Sequence, residues 1–300
     1  MSIAIDHLTK RYGAFTAVDD VCIDVPSGSV FGLLGPNGAG KTTTFKCMLG
    51  LAAPSSGTTR FDGEPLTPQT FGRLAYVAER STLYDWMTVG EHLEMQRRAF
   101  ARYDAARARQ LLELFALESR TRVRRLSKGM RTALSVVLAF SIEPEILVLD
   151  EPTSGLDPLN QRAVLKLIID AAARGKTVLF SSHQIGQVER AADHIAVLKR
   201  GRVVLSGAVD DLKGGSKIVE GIFASETIAL NGLSGDARIS RVEQTGRILR
   251  LTVSAGSDAF AHQLSVMGAQ SVRVVDLNLE DIFLNAVDPT LPPAVVAGVV

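Results

Sequence analysis

A glycine-rich segment between an apolar strand and a helix constrains this 300-residue chain more than any other feature. Residues 30–34 form a continuous apolar run, which is typical of a strand buried on both faces of a sheet. The stretch Gly35-Pro36-Asn37-Gly38-Ala39-Gly40-Lys41-Thr42 follows and fits the pattern G-x-x-x-x-G-K-[ST]. Because residues 42–51 have helical composition, the strand, loop and helix come in the order that a phosphate-binding loop requires.

The loop has the chemistry of an anion site. Its glycines allow backbone turns that a Cβ atom would forbid, so consecutive N–H groups can point at one anion. The helix that follows adds the positive end of its dipole. Lys41 supplies a charge for the β- and γ-phosphates of a nucleotide, and the Thr42 hydroxyl can hold Mg²⁺. The predicted nucleotide contacts are Gly35, Pro36, Asn37, Gly38, Ala39, Gly40, Lys41, Thr42 and Thr43.

A second apolar strand ends in two carboxylates. The run Ile146–Leu149 is followed by Asp150 and Glu151. At the carboxyl end of a parallel strand, Asp150 is predicted to reach the metal, usually through water, opposite the glycine loop. Glu151 is predicted to polarise the attacking water, and such general-base assistance is typically worth about 10²–10⁴-fold in rate. The two motifs together predict a nucleotide-hydrolysing site at one edge of a parallel sheet.

A short segment between these motifs narrows the class of protein. Leu126-Ser127-Lys128-Gly129-Met130 looks like the signature loop of the ABC ATPase family, which is usually LSGGQ. Lys128 and Met130 depart from that pattern, whereas the Ser127 hydroxyl and the Gly129 backbone N–H are kept. The resemblance implies that Ser127 and Gly129 face the γ-phosphate held by a second subunit. Two ATP molecules would then lie at the interface of a head-to-tail dimer.

Further positions match motifs of the same family. Residues 154–157 resemble the D-loop, which crosses the dimer interface, and this resemblance places Asp157 near the nucleotide. His183 follows an apolar strand and resembles the switch histidine that contacts the γ-phosphate. Tyr12 matches the aromatic residue that stacks on adenine, with Val18 packing nearby. Glu151 and His183 are therefore the catalytic residues that the sequence predicts.

A position predicted to bind the metal also departs from the family. The family's Q-loop glutamine, which ligates Mg²⁺ and senses the membrane partner, is replaced by Glu79. A carboxylate is still a hard ligand for Mg²⁺, so Glu79 joins Thr42 and Asp150 as a predicted metal ligand. A glutamate at this position resembles the sequence of some bacterial drug-export subunits of the ABC-2 type. The segment Asn278–Leu284 resembles the C-terminal segment of the same branch.

The order of the elements predicts an α/β fold with two domains. The resemblance implies a P-loop NTPase (RecA-like) core in residues 1–212, with a helical subdomain at about residues 85–144. Residues 213–288 alternate between strand and helix patterns, which indicates a small C-terminal α+β domain. Residues 289–300 are predicted to be a tail.

Composition limits the surroundings of the chain. The net charge is +1, so no overall field favours nucleic acid as a ligand, and none is expected. Cys22 and Cys47 lie in apolar segments and are predicted to be buried, reduced thiols. The first residues lack the pattern of a signal peptide, and no apolar run approaches the roughly 20 residues of a membrane helix. We therefore expect a cytoplasmic protein, peripheral on the inner face of the cell membrane.

These observations predict the ATP-binding and ATP-hydrolysing subunit of an ABC transporter. As in the family, ATP and Mg²⁺ would bind, and two copies, or one copy and a sister ATPase, would drive a separate transmembrane permease. Export is favoured by the resemblance to the drug-export branch. The alternative is a soluble ABC ATPase in translation or DNA maintenance. Such proteins carry two cassettes, long coiled coils or zinc modules, whereas Lys41 and Asp150 are separated by only about a hundred residues without heptads or cysteine ligands.

Overall fold

The chain divides into two compact units, Met1–Ser206 and Gly207–Val300. This computed structural model describes residues 1–80, 82–228, 233 and 236–287, with the backbone alone at residues 284–287. The predicted domain boundary after residue 212 lies inside a helix of the second unit. The predicted tail, residues 289–300, lies outside the described residues.

Strands of the first unit form a three-stranded and a six-stranded sheet. They are β1 (Ile3–Tyr12), β2 (Phe15–Val25), β3 (Val30–Leu34), β4 (Ser56–Phe61), β5 (Leu74–Val77), β6 (Ile146–Asp150), β7 (Thr177–Ser182), β8 (His194–Lys199) and β9 (Arg202–Ala208). The smaller sheet has the order β2-β1-β4, and both of its pairings are antiparallel. The larger sheet has the order β5-β6-β7-β3-β8-β9, and its strands from β5 to β8 are parallel.

The central strands of the larger sheet follow from their composition. All five residues of β3 and all five of β6 are buried, as expected for parallel strands that are covered on both faces. Both strands end at the same edge of the sheet, because parallel neighbours run in the same direction. The carboxyl end of β6 and the loop after β3 are therefore brought side by side.

Helices of the first unit cover the larger sheet and build the predicted helical region. They are α1 (Lys41–Met48), α2 (Pro68–Phe71), α3 (Val89–Ala99), α4 (Ala105–Leu114), α5 (Lys128–Ser141), α6 (Pro158–Ala172) and α7 (Ile185–Ala191), with a short 3₁₀ turn at Val123–Arg125. α3 begins with a capping box, in which Thr88 and Glu91 satisfy each other's backbone N–H groups. α4 and α5 begin at Asp104 and Ser127, whose side chains accept hydrogen bonds from backbone N–H groups of the first turn.

A hydrophobic core joins the antiparallel sheet to α1 and to one face of the larger sheet. Ile5 of β1, Phe45 and Met48 of α1, and Phe31 and Leu179 of the larger sheet belong to this cluster, and each is at most 1% exposed. Fully burying side chains of this size contributes about 1.5–3 kcal/mol each. The core therefore holds α1, and with it the glycine loop, against the sheet.

The second unit is a small α+β domain. Its elements are α8 (Val209–Gly214), β10 (Lys217–Phe223), β11 (Ile239–Thr245), β12 (Ile248–Val253), α9 (Ser257–Val266), β13 (Ala269–Asp276) and α10 (Leu279–Val287). The sheet is antiparallel with the order β11-β12-β10-β13. Leu249, Leu251 and Val253 face α9 and pack with Phe260 and Leu264, as their spacing predicts.

The prediction of two buried cysteines is wrong for Cys22. Cys47 is buried, but Cys22 is exposed, because residues 21–25 of β2 alternate between the core and the surface. Val21 and Ile23 face the core and Cys22 faces outward. In the part of the chain that the structure describes, no helix is both long and apolar enough to cross a membrane.

Candidate functional site

The glycine-rich loop connects β3 to α1 and depends on glycine where the helix begins. Gly40 is the N-cap of α1 with a φ of 109°, and a Cβ atom there would lie 2.6 Å from the Ala17 carbonyl oxygen. Ala39 donates its backbone N–H to the Pro36 carbonyl at 3.1 Å, which closes the turn. The geometry leaves the first N–H groups of α1 at the loop, where a helix attracts anions.

Lys41 is a buried cation held by neighbouring oxygens. Only 7% of it is exposed. Its Nζ donates to the Gly35 carbonyl at 2.7 Å and lies 3.4 Å from the Pro36 carbonyl. The carboxylate of Glu151 lies 3.3 Å from the same nitrogen. A charged nitrogen in this position is able to exchange these partners for the phosphate of a nucleotide.

Asp150 joins the glycine loop to the end of β6. Its Oδ2 accepts a hydrogen bond from the Thr42 hydroxyl at 2.6 Å, and its Oδ1 accepts one from Ser181 at 2.6 Å. The residue is 1% exposed. Burial raises the pKa of the Asp150 carboxyl, whereas the hydrogen bonds from Ser181 and Thr42 oppose that change. A carboxylate that is shielded from water in this way is stabilised by a nearby cation.

Glu151 sits in a left-handed conformation with a φ of 50°. Such a backbone costs energy for a residue with a Cβ atom, and strained residues of this kind cluster at functional sites. The Ser181 hydroxyl accepts the Glu151 backbone N–H at 3.0 Å. The carboxylate Oε2 is 2.9 Å from His183 Nδ1, while Oε1 contacts Lys41 but makes no hydrogen bond among the described residues.

A pocket of about 400 Å³ opens between these groups. Its lining comprises Phe15, Ala17, Asn37, Gly38, Ala39, Gly40, Lys41, Thr42, Thr43, Glu79 and Glu151. Most of the predicted nucleotide contacts therefore share one pocket with Glu79 and Glu151. Gly35 and Pro36 are not part of the lining, and their carbonyl oxygens accept hydrogen bonds from Lys41.

Phe15 and Ala17 line the pocket but were not predicted. Tyr12 and Phe15 are cross-strand partners at the β1–β2 turn, so both side chains lie on the same face. They are 52% and 65% exposed, and the Tyr12 ring lies under Lys10 Nζ at 4.7 Å. Val18, predicted to pack near the base, is fully buried in the core beside the glycine loop, since a Cβ atom added to Gly40 would lie 3.5 Å from its Cγ2, whereas Ala17 lines the pocket.

Ser127, Gly129 and Asp157 lie outside the lining of this pocket. Ser127 caps α5 by accepting the Met130 N–H at 3.1 Å. Asp157 caps α6, and the hydrogen bonds from its first turn, led by the Asn160 N–H, lower the pKa of its carboxyl. Gly129 packs so closely on residue 155 that an added Cβ atom would lie 2.4 Å from that residue's carbonyl oxygen.

The oxygen atoms near the loop fit Mg²⁺ only together with a phosphate. Among the described residues, no three histidine, cysteine, aspartate or glutamate side chains are grouped closely enough to hold a metal. The Thr42 hydroxyl and the Asp150 carboxylate are in contact, and Glu79 faces the same pocket as Thr42. Mg²⁺ is usually bound through one or two carboxylates and completes its shell with water and substrate phosphates, so the carboxylates of Asp150 and Glu79 near the Thr42 hydroxyl fit this ion.

Comparison with known proteins assigns residues 18–154 to the family described as "ABC transporter". Over 308 residues the chain is 35% identical to the Nod factor export ATP-binding protein I of Paraburkholderia xenovorans, with 95% of this chain and 96% of that protein covered. The protein of the same name from Ralstonia nicotianae is 36% identical, with 94% of this chain and 92% of the relative covered.

Solved structures agree with these relatives. The ATP-binding subunit of an ABC transporter is 34% identical, with a TM-score of 0.66 over 71% of this chain and 92% of that chain. A dimeric bacterial ABC transporter cassette shares the fold at 23% identity, with a TM-score of 0.62 over 69% of this chain and 98% of that chain. The family and the fold class predicted from the sequence are confirmed, and the alternative of a soluble ATPase in translation has no support among these proteins. The chain therefore belongs to the ABC transporter ATP-binding subunits, which bind ATP and hydrolyse it to power transport.

Proposed function

We propose that this subunit powers export, and that two copies hydrolyse ATP on the cytoplasmic face of a separate membrane permease. The observation that carries the site assignment is the convergence of Lys41, Thr42, Asp150, Glu151 and His183 at the carboxyl edge of one parallel sheet. The segment after β3 supplies Lys41 and Thr42, and the carboxyl ends of the adjacent strands β6 and β7 supply the other three groups. α/β proteins bind ligands at the carboxyl ends of their strands in this way.

Lys41 and the glycine loop hold the phosphates of ATP. Lys41 already binds two carbonyls and a carboxylate, so the incoming phosphate replaces oxygen partners of the same kind. Glu151 is the group that accepts the proton of the attacking water, because its buried Oε1 has no hydrogen-bond partner among the residues that the structure describes. His183 comes from the loop after the adjacent strand β7 and contacts that carboxylate through Nδ1. Its side chain is 47% exposed, and we propose that it also contacts the γ-phosphate, as the resemblance to the switch histidine implies.

Thr42, Asp150 and Glu79 are the residues proposed to hold Mg²⁺. Bound there, the ion would neutralise part of the phosphate charge. The Thr42–Asp150 hydrogen bond keeps both oxygens in place before the nucleotide arrives. The negative charge of Glu79 lies at the pocket, where the family has a neutral amide, and it strengthens the attraction for a divalent cation.

A second copy completes the site in this proposal. Ser127, Gly129 and Asp157 lie off the pocket that holds their own chain's Lys41, which supports a role towards a partner's nucleotide. ABC transporter ATP-binding subunits dimerise and pair with membrane permeases. For adenine, the proposed stacking surface is the exposed Phe15 ring, which lines the pocket beside Ala17, together with the ring of its cross-strand partner Tyr12, which is not part of the pocket lining.

The export direction rests on the relatives. The curated proteins from Paraburkholderia and Ralstonia are named export ATP-binding proteins, and they match this chain over nearly its whole length. Glu79 and the C-terminal segment were already the features that favoured export in the sequence. The helical region that begins at Thr88 is the proposed contact with the permease.

Affinity capture from native membranes tests this proposal. Tagged Glu151→Gln protein would be incubated with ATP, Mg²⁺ and detergent-solubilised membranes. Tagged Lys41→Ala protein, which should bind ATP about 10–100-fold more weakly, is the control. We expect a multi-spanning membrane protein in roughly equal amount with the first variant and less with the second. Recovery of ribosomal or DNA-bound proteins without a membrane protein would refute the transport role. Deleting the recovered permease should raise the cellular level of its cargo, whereas a fall would indicate import.

A further inference from the structure

A buried glutamine lies behind the two catalytic loops. Gln187 is in α7 and is 3% exposed. Its Oε1 accepts a hydrogen bond from the Thr153 hydroxyl at 2.7 Å. Its Nε2 donates to Gln184 Oε1 at 2.9 Å and to Gln161 Oε1 at 3.3 Å. Both hydrogens and the oxygen of the side-chain amide therefore make hydrogen bonds inside the protein.

One of these bonds leads to the loop that follows β6. Thr153 lies two residues after Glu151, and the backbone between them is turned, since the Ser154 N–H donates to the Glu151 carbonyl at 3.0 Å. Gln161 carries the connection further, because its Nε2 donates to the Leu156 carbonyl at 3.0 Å. Through Thr153 and Gln161, the amide of Gln187 is thus connected to the segment after Glu151 at residues 153 and 156.

The bond to Gln184 leads to the loop that follows β7. Gln184 comes directly after His183, and its backbone N–H donates to the Ser182 hydroxyl at 3.0 Å. The Gln187 backbone N–H also donates to the Gln184 carbonyl at 3.1 Å. The turn that carries His183 is therefore hydrogen-bonded to Gln187 through both the side chain and the backbone carbonyl of Gln184.

These contacts converge on the pair that performs hydrolysis. His183 and Glu151 stand on the two loops and meet at 2.9 Å. We propose that Gln187 is a positioning residue for ATP hydrolysis, which holds the His183 turn and the Glu151 loop in register through Gln184, Thr153 and Gln161. The proposal rests on the catalytic roles assigned above to Glu151 and His183.

The hydrogen bonds fit an amide at this position, because it both donates and accepts. A glutamate would keep the acceptor for Thr153 but would place a carboxylate against the carbonyl oxygens of Gln184 and Gln161. A methionine would fill the same space and lose all three hydrogen bonds. Because the phosphate-binding loop receives none of these bonds, the ATP concentration at half-maximal rate should change little, while the rate itself falls. A displaced catalytic group costs up to about 100-fold in rate, and we expect a loss between about 10-fold and about 100-fold in kcat.

A double-mutant cycle tests the proposal. Steady-state ATP hydrolysis would be measured for the full chain, for Gln187→Met, for His183→Ala and for the double variant. We expect kcat to fall in each single variant, KM for ATP to change by less than about threefold, and the double variant to be no slower than His183→Ala by more than about twofold. Gln244→Met, which removes an amide that donates to the Glu226 and Gly246 carbonyls in the second unit, is the matched control and should keep the wild-type rate.

The outcomes separate the two assignments. An unchanged kcat in Gln187→Met, or losses that multiply in full in the double variant, would overturn the positioning role while leaving His183 as a catalytic residue. An unchanged kcat in His183→Ala would instead refute the proposed catalytic role of the histidine. Thermal unfolding followed by circular dichroism reports whether Gln187→Met folds. If it does not, Gln187→Glu serves in the same cycle, and the same fall in kcat at unchanged KM is expected.

Discussion

Replacing Glu151 by glutamine should separate ATP binding from ATP hydrolysis. The variant keeps the shape of the side chain but removes the proton acceptor, so hydrolysis should fall by about 10²–10⁴-fold. It also removes the charge that pairs with Lys41. At 3.3 Å and an effective dielectric constant of about 20, the gross attraction of the pair is about 5 kcal/mol. Both groups are buried, so desolvation offsets most of this attraction, and a net effect of about 1 kcal/mol is expected.

A net 1 kcal/mol corresponds to about a fivefold change in affinity. Lys41 no longer has to leave a charged partner when ATP arrives, so Glu151→Gln should bind ATP about fivefold more tightly than the wild type. Fluorescence titration gives the dissociation constant, single-turnover hydrolysis gives the rate, and light scattering gives the mass of the ATP-bound species, expected to be a dimer. Glu113→Gln makes the same chemical change on an exposed helix and is the matched control. Hydrolysis within threefold of the wild type, or weaker ATP binding, would refute the assignment of Glu151.

Three other substitutions probe separate parts of the first unit. Lys41→Ala removes a charged hydrogen-bond donor worth about 1.5–3 kcal/mol, so the Kd for ATP should rise by about 10–100-fold in a nucleotide titration; an unchanged Kd would contradict the phosphate role. Phe15→Ala removes one base-stacking surface worth about 1–3 kcal/mol and should raise the Kd at least about fivefold in the same titration, whereas equal affinity would place the base elsewhere. Arg73 and Arg102 hold the pKa of Glu145 at about 2, below its ordinary 4.5, so the stabilisation is present above about pH 4.5 and is lost as the pH falls towards 2. Glu145→Gln should therefore lower the unfolding free energy by about 1 kcal/mol at pH 7 and leave it unchanged near pH 2, and a difference that persists in acid would contradict this sign.

The parts of the site that depend on local sequence were predictable. The run into Gly35, the helix after Lys41 and the strand before Asp150 each carry a pattern that needs no knowledge of distant residues. Parallel pairing then forces the two loops to the same edge of the sheet, so the contact between Thr42 and Asp150 follows from the motifs and the strand direction.

Two features of the β1–β2 hairpin were not predicted, namely the outward position of Cys22 and the place of Phe15 at the pocket. Cys22 belongs to β2, where residues 21–25 alternate between the core and the surface, and its burial was predicted from the apolar composition of the segment instead of the register. Had the alternation been followed from Val21 and Ile23, Cys22 would have been predicted outside. Phe15 was missed because its position beside Tyr12 depends on the tight turn that pairs the two strands.

The hydrogen bonds of Gln187 had no sequence pattern that could reveal them. Its partners Thr153, Gln161 and Gln184 come from two loops and another helix, and only the packing of α6 and α7 brings them within reach. A glutamine in a short helix is ordinarily solvated, and nothing in the spacing of its neighbours indicates burial.

The separation of Ser127 from the pocket of its own chain has a kinetic consequence. If a second copy must supply the signature loop, a lone subunit has no complete active centre, and turnover per molecule rises with protein concentration until dimers saturate. Below that point the hydrolysis rate grows with the square of the concentration. A permease that holds two copies side by side would raise their effective concentration to about the millimolar range of tethered partners. Subunits that are not bound to a permease would then hydrolyse little ATP.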